Sequence, residues 1–219
     1  PSKLTSFRAK TFFTKEPETI KWMNEYGSEK KCLYDIGANV GIYSIYYAKK
    51  FESKVYAFEP SFRNLDVLAR NVKLNLIERQ VFLIPNPISE KFLVSNFFQL
   101  QTIAGHAGAT FNHEFIKNDF IKKHNNDKKN NTIQYKTLGL CIDNLIELNL
   151  IEPPNLIKID VDGNEFDVIN GCKKTIQELE KISILIETRK ETHDNVEKEL
   201  KILGLKKIEQ HNSNSIWEK

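Results

Sequence analysis

The residues of this 219-residue chain best suited to chemistry are those from Asp35 to Gly41, which read Asp-Ile-Gly-Ala-Asn-Val-Gly. A short apolar run precedes them, and a segment that favours a helix begins at Ile42. A strand that turns through glycines into a helix offers unpaired backbone N–H groups and a partial positive charge, which attract an anion. Residues 35–41, the glycine loop, are therefore predicted to hold a small charged cofactor.

The pattern of the glycine loop narrows the choice of cofactor. It lacks the Gly-Lys-Ser/Thr ending of a P-loop, and Asn39 occupies the position of the middle glycine in a dinucleotide fingerprint. Asp35 disfavours a pyrophosphate and suits an ammonium or a sulfonium. S-adenosylmethionine carries both cations, together with a carboxylate that can meet the loop amides. Glu59, at the end of the next predicted strand, can bind its ribose hydroxyls.

We therefore predict an S-adenosylmethionine site in this part of the chain. Its predicted residues are Asp35, Gly37, Ala38, Asn39, Gly41, Glu59, Pro60 and Asp160.

Four acidic residues end predicted strands that alternate with helices: Asp35, Glu59, Asp160 and Glu187. This alternation predicts a doubly wound, mainly parallel α/β sheet with helices on both faces. In such sheets, ligands bind at the carboxyl ends of the strands, where the strand order reverses. The four acids are therefore expected to share one site.

The remaining elements are predicted from apolar periodicity and from turn residues. The predicted strands comprise residues 32–36, 54–58, 81–84, 92–98, 133–137, 156–160, 182–186, 205–210 and 215–218, the last two forming a hairpin. The predicted helices begin at Pro17, Ile42, Ser61, Asp143 and Glu165, with a last one that ends at Gly204. Residues 1–31 are predicted as a lead-in helical segment and 32–219 as one domain, with an acceptor-side insertion around 99–132 and a mobile polar tract at 122–131.

The composition excludes several classes of protein. The net charge of +3 comes from 32 basic and 29 acidic residues spread along the chain, so a nucleic-acid partner is not expected. No apolar run reaches the roughly 18 residues of a membrane span, and nothing resembles a signal peptide. Cys32, Cys141 and Cys172 lack metal-ligand spacing and indicate reduced thiols, so we expect a cytoplasmic protein. No feature indicates an oligomeric state.

In their order and spacing, the motifs resemble those of the FkbM-type methyltransferases, a branch of the class I S-adenosylmethionine-dependent enzymes. The resemblance runs from about Glu16 to Gly204. It is carried by Glu16-Pro-Glu-Thr, Leu33-Tyr-Asp-Ile-Gly-Ala-Asn-Val-Gly, Val55-Tyr-Ala-Phe-Glu-Pro, Leu138-Gly-Leu-Cys-Ile-Asp, Ile157-Lys-Ile-Asp-Val-Asp-Gly-Asn-Glu-Phe and Ile184-Leu-Ile-Glu. The family usually has a glutamate where this chain has Asp162 and a leucine where it has Ile169.

The resemblance implies a seven-stranded sheet whose last strand is antiparallel. It also implies methyl transfer to a hydroxyl group, commonly of a sugar, a glycan or a small metabolite. The glycine loop would line the methionine part of the cofactor and Glu59 the ribose. Residues 86–88, including Asn86 and Ile88, would lie beside the adenine.

Methyl transfer is an in-line displacement, in which alignment of the reactants alone contributes roughly 7–11 kcal/mol. A hydroxyl acceptor also needs a base for its proton. Asp160 is the first candidate for that base, and Glu187 and His106 are further catalytic candidates. His106 lies in a stretch of small residues that can approach a ligand closely. The reserve candidates are Asp162, Glu165 and His193.

Several alternatives stay open at this point. A magnesium-assisted variant could use oxygen ligands from Asp160, Asp162 and Glu187, although no metal site is predicted. The domain could also bind the cofactor without catalysis, as a scaffold for a partner enzyme. A methyltransferase of nucleic acids is weaker, because Glu152-Pro-Pro-Asn comes before the strand whose end should carry such a motif. A nucleotide-dependent oxidoreductase is weaker still, because the central glycine is missing.

Overall fold

The structure is a computed structural model that describes residues 2–101, 103–112 and 132–219. The polar tract at 122–131 and most of the predicted insertion around 99–132 lie outside these residues. The strands are β1 Leu33–Ile36, β2 Val55–Phe58, β3 Val81–Ile84, β4 Leu93–Gln99, β5 Ala109–Phe111, β6 Ile133–Gly139, β7 Leu156–Ile159, β8 Ser183–Glu187, β9 Lys206–His211 and β10 Asn214–Glu218. The helices are α1 Lys3–Lys10, α2 Pro17–Tyr26, α3 Ile42–Phe51, α4 Phe62–Leu74, α5 Ile142–Glu147, α6 Glu165–Gly171, α7 Lys173–Glu178 and α8 His193–Ile202.

Seven of these strands form the main sheet, in the order β3-β2-β1-β7-β8-β10-β9. The first five are parallel, and β10 is antiparallel to both of its neighbours. The predicted doubly wound sheet with an antiparallel C-terminal hairpin is confirmed. Every residue of β1, β2 and β7 is buried, because helices cover both faces. This explains why these strands are apolar apart from Asp35 in β1 and Lys158 in β7.

The strand order reverses between β1 and β7. From β1 the chain proceeds outward through β2 and β3, whereas β7 and β8 continue on the opposite side. The carboxyl ends of β1 and β7 are held together, since the Asp160 N–H donates to the Ile36 carbonyl at 3.0 Å. In a sheet of this type, ligands bind in the crevice at such a reversal.

Two hydrophobic clusters hold the helices against the sheet. The cluster around Tyr34 and Trp217 packs against α5, α6, α7 and α8. The cluster around Trp22, Tyr47 and Leu68 packs against α2, α3 and α4. The indole N–H of Trp22 also donates to Ser183 Oγ at 2.8 Å, which fixes α2 on the sheet.

A second, three-stranded antiparallel sheet has the order β5-β4-β6. Strands β4 and β6 correspond to the predicted segments 92–98 and 133–137. Strand β5 was not predicted, because it has only three residues and shows no alternating pattern that local sequence could reveal. It pairs with β4 through Phe97 and Phe111.

Helix α1 adds a feature that the apolar pattern did not predict. None of its residues is buried, so it has no apolar face to reveal it. Ser2 caps the helix, its Oγ accepting from the Thr5 N–H at 3.1 Å, and Arg8 and Lys10 lie in its last turn, where basic residues are favourable. The predicted lead-in segment therefore contains two helices.

The three cysteines are free and buried. Burial raises the pKa of Cys32 to about 12. Among residues 2–101, 103–112 and 132–219, no helix has the length and apolar character that a bilayer crossing requires.

Candidate active site at the reversal of the strand order

A cavity opens where the strand order reverses, with about 700 Å³ of empty space that includes space open to solvent. Cavities of this size are typical of small-molecule sites. Most of the residues proposed from the sequence contribute to its wall. They are Gly37, Asn39, Glu59, Pro60, Asn86, Ile88, His106 and Asp160.

The other four proposed residues do not line the cavity. Asp35, Ala38 and Gly41 belong to the glycine loop but are buried and do not face the cavity. Glu187 also lies outside the wall, but its side chain is hydrogen-bonded to Asp160. Asp35 and Glu187 therefore reach the cavity only through other side chains.

The glycine loop depends on glycine at two positions for different reasons. Gly37 has a φ of +82°, and a Cβ there would lie 2.0 Å from the Asp160 carbonyl oxygen. Gly41 also has a φ of +82°, but a Cβ there would meet the Leu68 side chain at 2.1 Å. Gly37 therefore permits the close approach of β1 and β7, and Gly41 permits helix packing. Asn39 adopts the left-handed region with a φ of +53°, which asparagine tolerates better than most residues.

The backbone N–H groups of the glycine loop are all hydrogen-bonded within the protein from Gly37 to Gly41. Those of Gly37 and Ala38 donate to the Phe58 carbonyl, at 3.0 and 3.1 Å. The Asn39 N–H donates to Glu59 Oε2 at 2.7 Å. Inside the loop, the Val40 N–H donates to Asn39 Oδ1 and the Gly41 N–H donates to the Ala38 carbonyl. The loop is thus a closed hydrogen-bonded unit.

Glu59 connects the glycine loop to α4. Its second oxygen, Oε1, accepts from the Ser61 N–H at 2.8 Å, and only 5% of the residue is exposed. Burial raises the pKa of Glu59 to about 7, although these N–H donors and Asn64 oppose the shift. The carboxylate has four lone pairs in all, and these three donors leave one that a ligand hydroxyl could use.

A buried lysine lies between two of the strand-end acids. Lys158 Nζ is 3.1 Å from Asp160 Oδ2 and 3.9 Å from Asp35 Oδ1. It also lies 5.0 Å from the ring centroid of Tyr43, within cation–π range. Burial alone would lower the pKa of Lys158, but Asp160 and Asp35 raise it above the ordinary value. The ammonium is therefore charged and compensated.

Asp35 belongs to the interior of the site. It is completely buried, and its Oδ2 accepts from Ser44 Oγ at 2.5 Å. Burial raises the pKa of Asp35, and Lys158 and Ser44 oppose that shift. Among the described residues, its Oδ1 has no hydrogen-bond partner. Asp35 thus balances the charge of Lys158 below the cavity.

Asp160 and Glu187 form a pair of unequal carboxyl groups. Burial tends to raise the pKa of Asp160, but the Lys158 ammonium and a hydrogen bond with Glu187 hold it below its usual value. Burial and the charge of Asp160 raise the pKa of Glu187 to about 7. The Asp160 side chain is 37% exposed. Asp160 is therefore an ionised, accessible acceptor of protons, and Glu187 is its hydrogen-bonded neighbour.

Residues 103–108, the cover segment, close one side of the cavity. Asn39 Nδ2 donates to the His106 carbonyl at 3.3 Å, and the Gly105 N–H donates to Asn64 Oδ1 at 2.8 Å. Helix α1 lies on the other side of the segment, where Arg8 Nε donates to the Gly105 carbonyl at 2.7 Å. The cover segment is therefore attached both to the glycine loop and to α1.

The loop after β7 holds the end of the cover segment. Asp162 Oδ2 accepts from the Gly108 and Ala109 N–H groups, at 2.5 and 3.2 Å. Its Oδ1 accepts from Arg189 Nη2 at 2.8 Å. Asn164 holds β5 in the same way, by accepting from the Phe111 N–H at 3.0 Å. Asp162 lines the cavity, yet both of its oxygens are engaged, Oδ2 with the backbone of the cover segment and β5 and Oδ1 with the Arg189 side chain.

The other two reserve candidates lie away from the cavity. Glu165 is buried and accepts from the Gly163 N–H and from Thr192 Oγ1. His193, the first residue of α8, contacts Glu197 on the same helix and Thr188 before it. Within the described part of the chain, no three His, Cys, Asp or Glu residues converge as a metal site.

Sequence reasoning missed several residues of this site, among them Lys158, Arg8 and Asn64. Lys158 had a signal, because a lysine inside a strand predicted to be buried requires a compensating charge. Arg8 and Asn64 had none, because they reach the cavity through contacts with the cover segment that are distant in sequence.

Comparison with known proteins agrees with this geometry. The family model of the methyltransferase FkbM domain matches residues 35–207. A hexuronic acid methyltransferase of Haloferax volcanii, AglP, is 22% identical over 178 residues, which cover 74% of this chain and 58% of that protein. The chain thus spans little more than half of that relative.

Solved structures show the same fold. Methyltransferase FkbM from Methylobacillus flagellatus superposes with a TM-score of 0.57 at 18% identity, over 88% of this chain and 44% of that one. Magnesium protoporphyrin IX methyltransferase from Synechocystis, solved with bound S-adenosylmethionine, gives a TM-score of 0.52 at 9% identity, over 93% and 76% of the two chains. The fold, the cavity at the strand reversal and the family match lead to one conclusion: the chain belongs to the FkbM methyltransferase family.

Proposed function

We propose that this protein transfers a methyl group from S-adenosylmethionine to a hydroxyl group of a sugar, a glycan or a small metabolite. The observation that carries the proposal is the ionised carboxylate of Asp160. It faces a cavity that the glycine loop and Glu59 also line, and Lys158 and Glu187 keep its pKa low.

The wall of the cavity suits the proposed cofactor. Gly37 lines the cavity and lets the ends of β1 and β7 come together, because a Cβ there would lie 2.0 Å from the Asp160 carbonyl oxygen. Glu59 offers a carboxylate lone pair for a ribose hydroxyl. Phe58, Ile88 and Phe97 line the cavity as well, and they offer an apolar surface for an aromatic base. Asn86, whose Nδ2 donates to the Leu138 carbonyl at 2.8 Å, lies beside that surface.

Bound S-adenosylmethionine supplies a methyl group activated by a positive sulfur. The part of the protein is to align the acceptor and to take its proton. In this proposal, the acceptor hydroxyl would donate to an Asp160 oxygen, and its proton would pass to that oxygen as the hydroxyl oxygen takes the methyl group, the methyl–sulfur bond breaks and S-adenosylhomocysteine leaves. Glu187, when protonated, donates a hydrogen bond that orients the Asp160 carboxylate. His106 lines the same cavity and would contact the acceptor.

Two comparisons support this choice of reactants. One structural neighbour was solved with S-adenosylmethionine bound, and the relative AglP methylates a hexuronic acid. A sugar hydroxyl has a pKa far above neutrality, so its methylation benefits from a base, whereas methylation of an amine does not require one to the same degree. The Asp160 carboxylate therefore favours an oxygen acceptor.

Calorimetric titration with S-adenosylmethionine tests the first half of the proposal, and saturable binding is expected. Transfer of a labelled methyl group into pools of sugars, sugar acids, lipids, peptides and RNA tests the second half. Asp160→Asn should bind S-adenosylmethionine within about threefold of the unaltered protein and lose roughly 10²–10⁴ in turnover. Asp66→Asn, on the exposed face of α4, is the matched control and should change neither quantity.

The outcomes separate the alternatives. Absence of binding would exclude the proposed cofactor. Binding without transfer to any pool would favour the cofactor-binding scaffold. Label found only in RNA would move the acceptor to nucleic acid. Full turnover by Asp160→Asn would remove Asp160 from the role of base, and loss of activity with a chelator would bring a divalent cation into the reaction.

A further inference from the structure

The charged wall of the same cavity has a feature whose role we derive on the basis of the proposed function. The side chains of Glu59, Asp160 and Asp162 bring carboxyl groups to the wall. Among the described residues that line it, Arg8 is the one lysine or arginine. A permanent cation in a wall of acids is a specific feature, because arginine is suited to the recognition of planar anions.

Arg8 is held in place by its own hydrogen bond. Its Nε donates to the Gly105 carbonyl at 2.7 Å, and Gly105 is in turn fixed by Asn64. Within the described residues, the terminal Nη groups of Arg8 have no hydrogen-bond partner. The guanidinium is close enough to Asp160 to lower the pKa of that carboxyl group. Arg8 is thus anchored at the Asp160 side of the cavity with donors to spare.

The glycine loop makes this cation necessary. A carboxylate that enters the cavity beside Gly37 and Asn39 meets no free loop amide, because the N–H groups from Gly37 to Gly41 already donate to the protein. It would also face the negative charge of Asp160. An anionic group at this end therefore requires a cation from elsewhere in the chain.

We infer that Arg8 forms a carboxylate subsite at the Asp160 end of the cavity, where its terminal N–H groups donate to a carboxylate of one of the two reactants. The donor always brings one, in its amino-acid group, and an acceptor brings one when it is a sugar acid. The occupied loop amides favour the donor as the source. Such a charge-assisted pair can be bidentate, which arginine makes possible and lysine does not.

The experiment compares two donor probes that differ only in the carboxylate, S-adenosylmethionine and decarboxylated S-adenosylmethionine. Their affinities are measured by calorimetry for the unaltered protein, Arg8→Gln and Arg8→Lys. We expect Arg8→Gln to weaken S-adenosylmethionine about tenfold to a hundredfold and to leave the decarboxylated probe within about twofold. Arg8→Lys should give an intermediate loss.

Lys10→Gln is the matched control. It removes the same charge from an exposed position on the same helix, and both affinities should stay unchanged. A thermal melt of each variant reports whether α1 and the cover segment stay folded.

A second arm locates the source of the carboxylate. Glucuronate and glucose are titrated into the protein saturated with S-adenosylhomocysteine. If Arg8→Gln leaves the donor affinity unchanged but abolishes a preference for glucuronate over glucose, the subsite exists and serves the acceptor.

The inference is overturned by equal losses for the two donor probes, which would mean that Arg8 only holds the cover segment. It is also overturned if Arg8→Gln changes neither arm. If the unaltered protein binds no S-adenosylmethionine, the proposed function fails and this inference fails with it.

Discussion

The two walls of the cavity are built in different ways. The glycine loop is held by neighbours along the chain and along the sheet, with its N–H groups donating to β2, to Glu59 and within the loop itself. The cover segment is held by residues from three distant parts of the chain: Arg8, Asn64 and Asp162. The first wall belongs to the sheet, and the second is assembled on top of it.

The difference extends to burial. Asp35 in the glycine loop is completely buried, whereas Ile103 in the cover segment is 41% exposed. Buried contacts at strand ends are tied to the stability of the whole domain, while an exposed segment can open locally. The comparison therefore predicts a fixed wall at the glycine loop and an adaptable wall at the cover segment. The following predictions test it, beginning with the largest effect.

Gly37→Ala should break the fixed wall. The substitution forces a Cβ to 2.0 Å from the Asp160 carbonyl oxygen at a φ of +82°, so we expect a loss of roughly 3–6 kcal/mol in the free energy of unfolding. Denaturant unfolding measures it. Gly204→Ala is the matched control, because Gly204 has a similar φ of +86° but its nearest neighbour would be 3.9 Å away. Similar losses in the two variants would contradict the importance of the close approach.

Glu59→Ala should weaken the donor side by removing a carboxylate that bonds two backbone N–H groups. We expect S-adenosylmethionine to bind about tenfold to a hundredfold more weakly, by calorimetry, because both the ribose contact and the position of Asn39 are lost. Glu90→Ala, at an exposed position, is the control. An unchanged affinity would remove Glu59 from the ribose role.

The raised pKa of Glu187 predicts that the free energy of unfolding depends on pH. Its pKa is raised to about 7 in the folded protein, against roughly 4.3 in an unfolded chain. The folded state therefore binds more protons between these values, and the stabilisation is complete below about pH 4.3 and is lost as the pH rises through about 7.

Partial exposure reduces the size of this effect to about 1–2 kcal/mol. Glu187→Gln can still donate to Asp160 but cannot titrate. In denaturant unfolding without ligand at pH 5 and pH 8, the variant should lose less stability with rising pH than the unaltered protein. Parallel losses would show that Glu187 is not the titrating group.

Asp162→Ala should loosen the cover segment alone, at a cost of about 1 kcal/mol in local stability. Hydrogen exchange of the Gly108 and Ala109 amides should accelerate several-fold, while exchange in the glycine loop stays unchanged. Asp143→Ala is a matched control, because Asp143 also accepts from two backbone N–H groups, those of Lys174 and Thr175 at the start of α7. Accelerated exchange in both walls would erase the distinction between them.

The same contrast explains what sequence reasoning could predict. The fixed wall could be predicted from the sequence, because buried parallel strands leave short, mostly apolar runs. Glu59 and Asp160 directly follow two of these runs. The direction of a side chain could not be predicted, because the sequence pattern does not reveal that Asp35 turns inward to Ser44 and Lys158. Glu187 reaches the site only through Asp160, which again depends on packing.

The adaptable wall left almost no local signal. Strand β5 is too short for an alternating pattern, and α1 has no buried residue. Asp162 contacts a backbone that lies 53 and 54 residues away, and Arg8 contacts one that lies 97 residues away. Contacts of this kind are fixed by the tertiary fold and have no periodicity in the sequence.

The position of β10 has a consequence for synthesis. This strand comes after β9 in the chain but lies between β8 and β9 in the sheet. During synthesis, β9 therefore emerges from the ribosome before β10, the strand that joins it to the sheet. The edge of β8 that pairs with β10 stays unpaired until residues 214–218 have been made. Ser213, which donates to Glu187 Oε1 at 3.0 Å, arrives at the same moment. The nascent chain thus completes the hydrogen bonds that surround Glu187 and Asp160 only when β10 has been made.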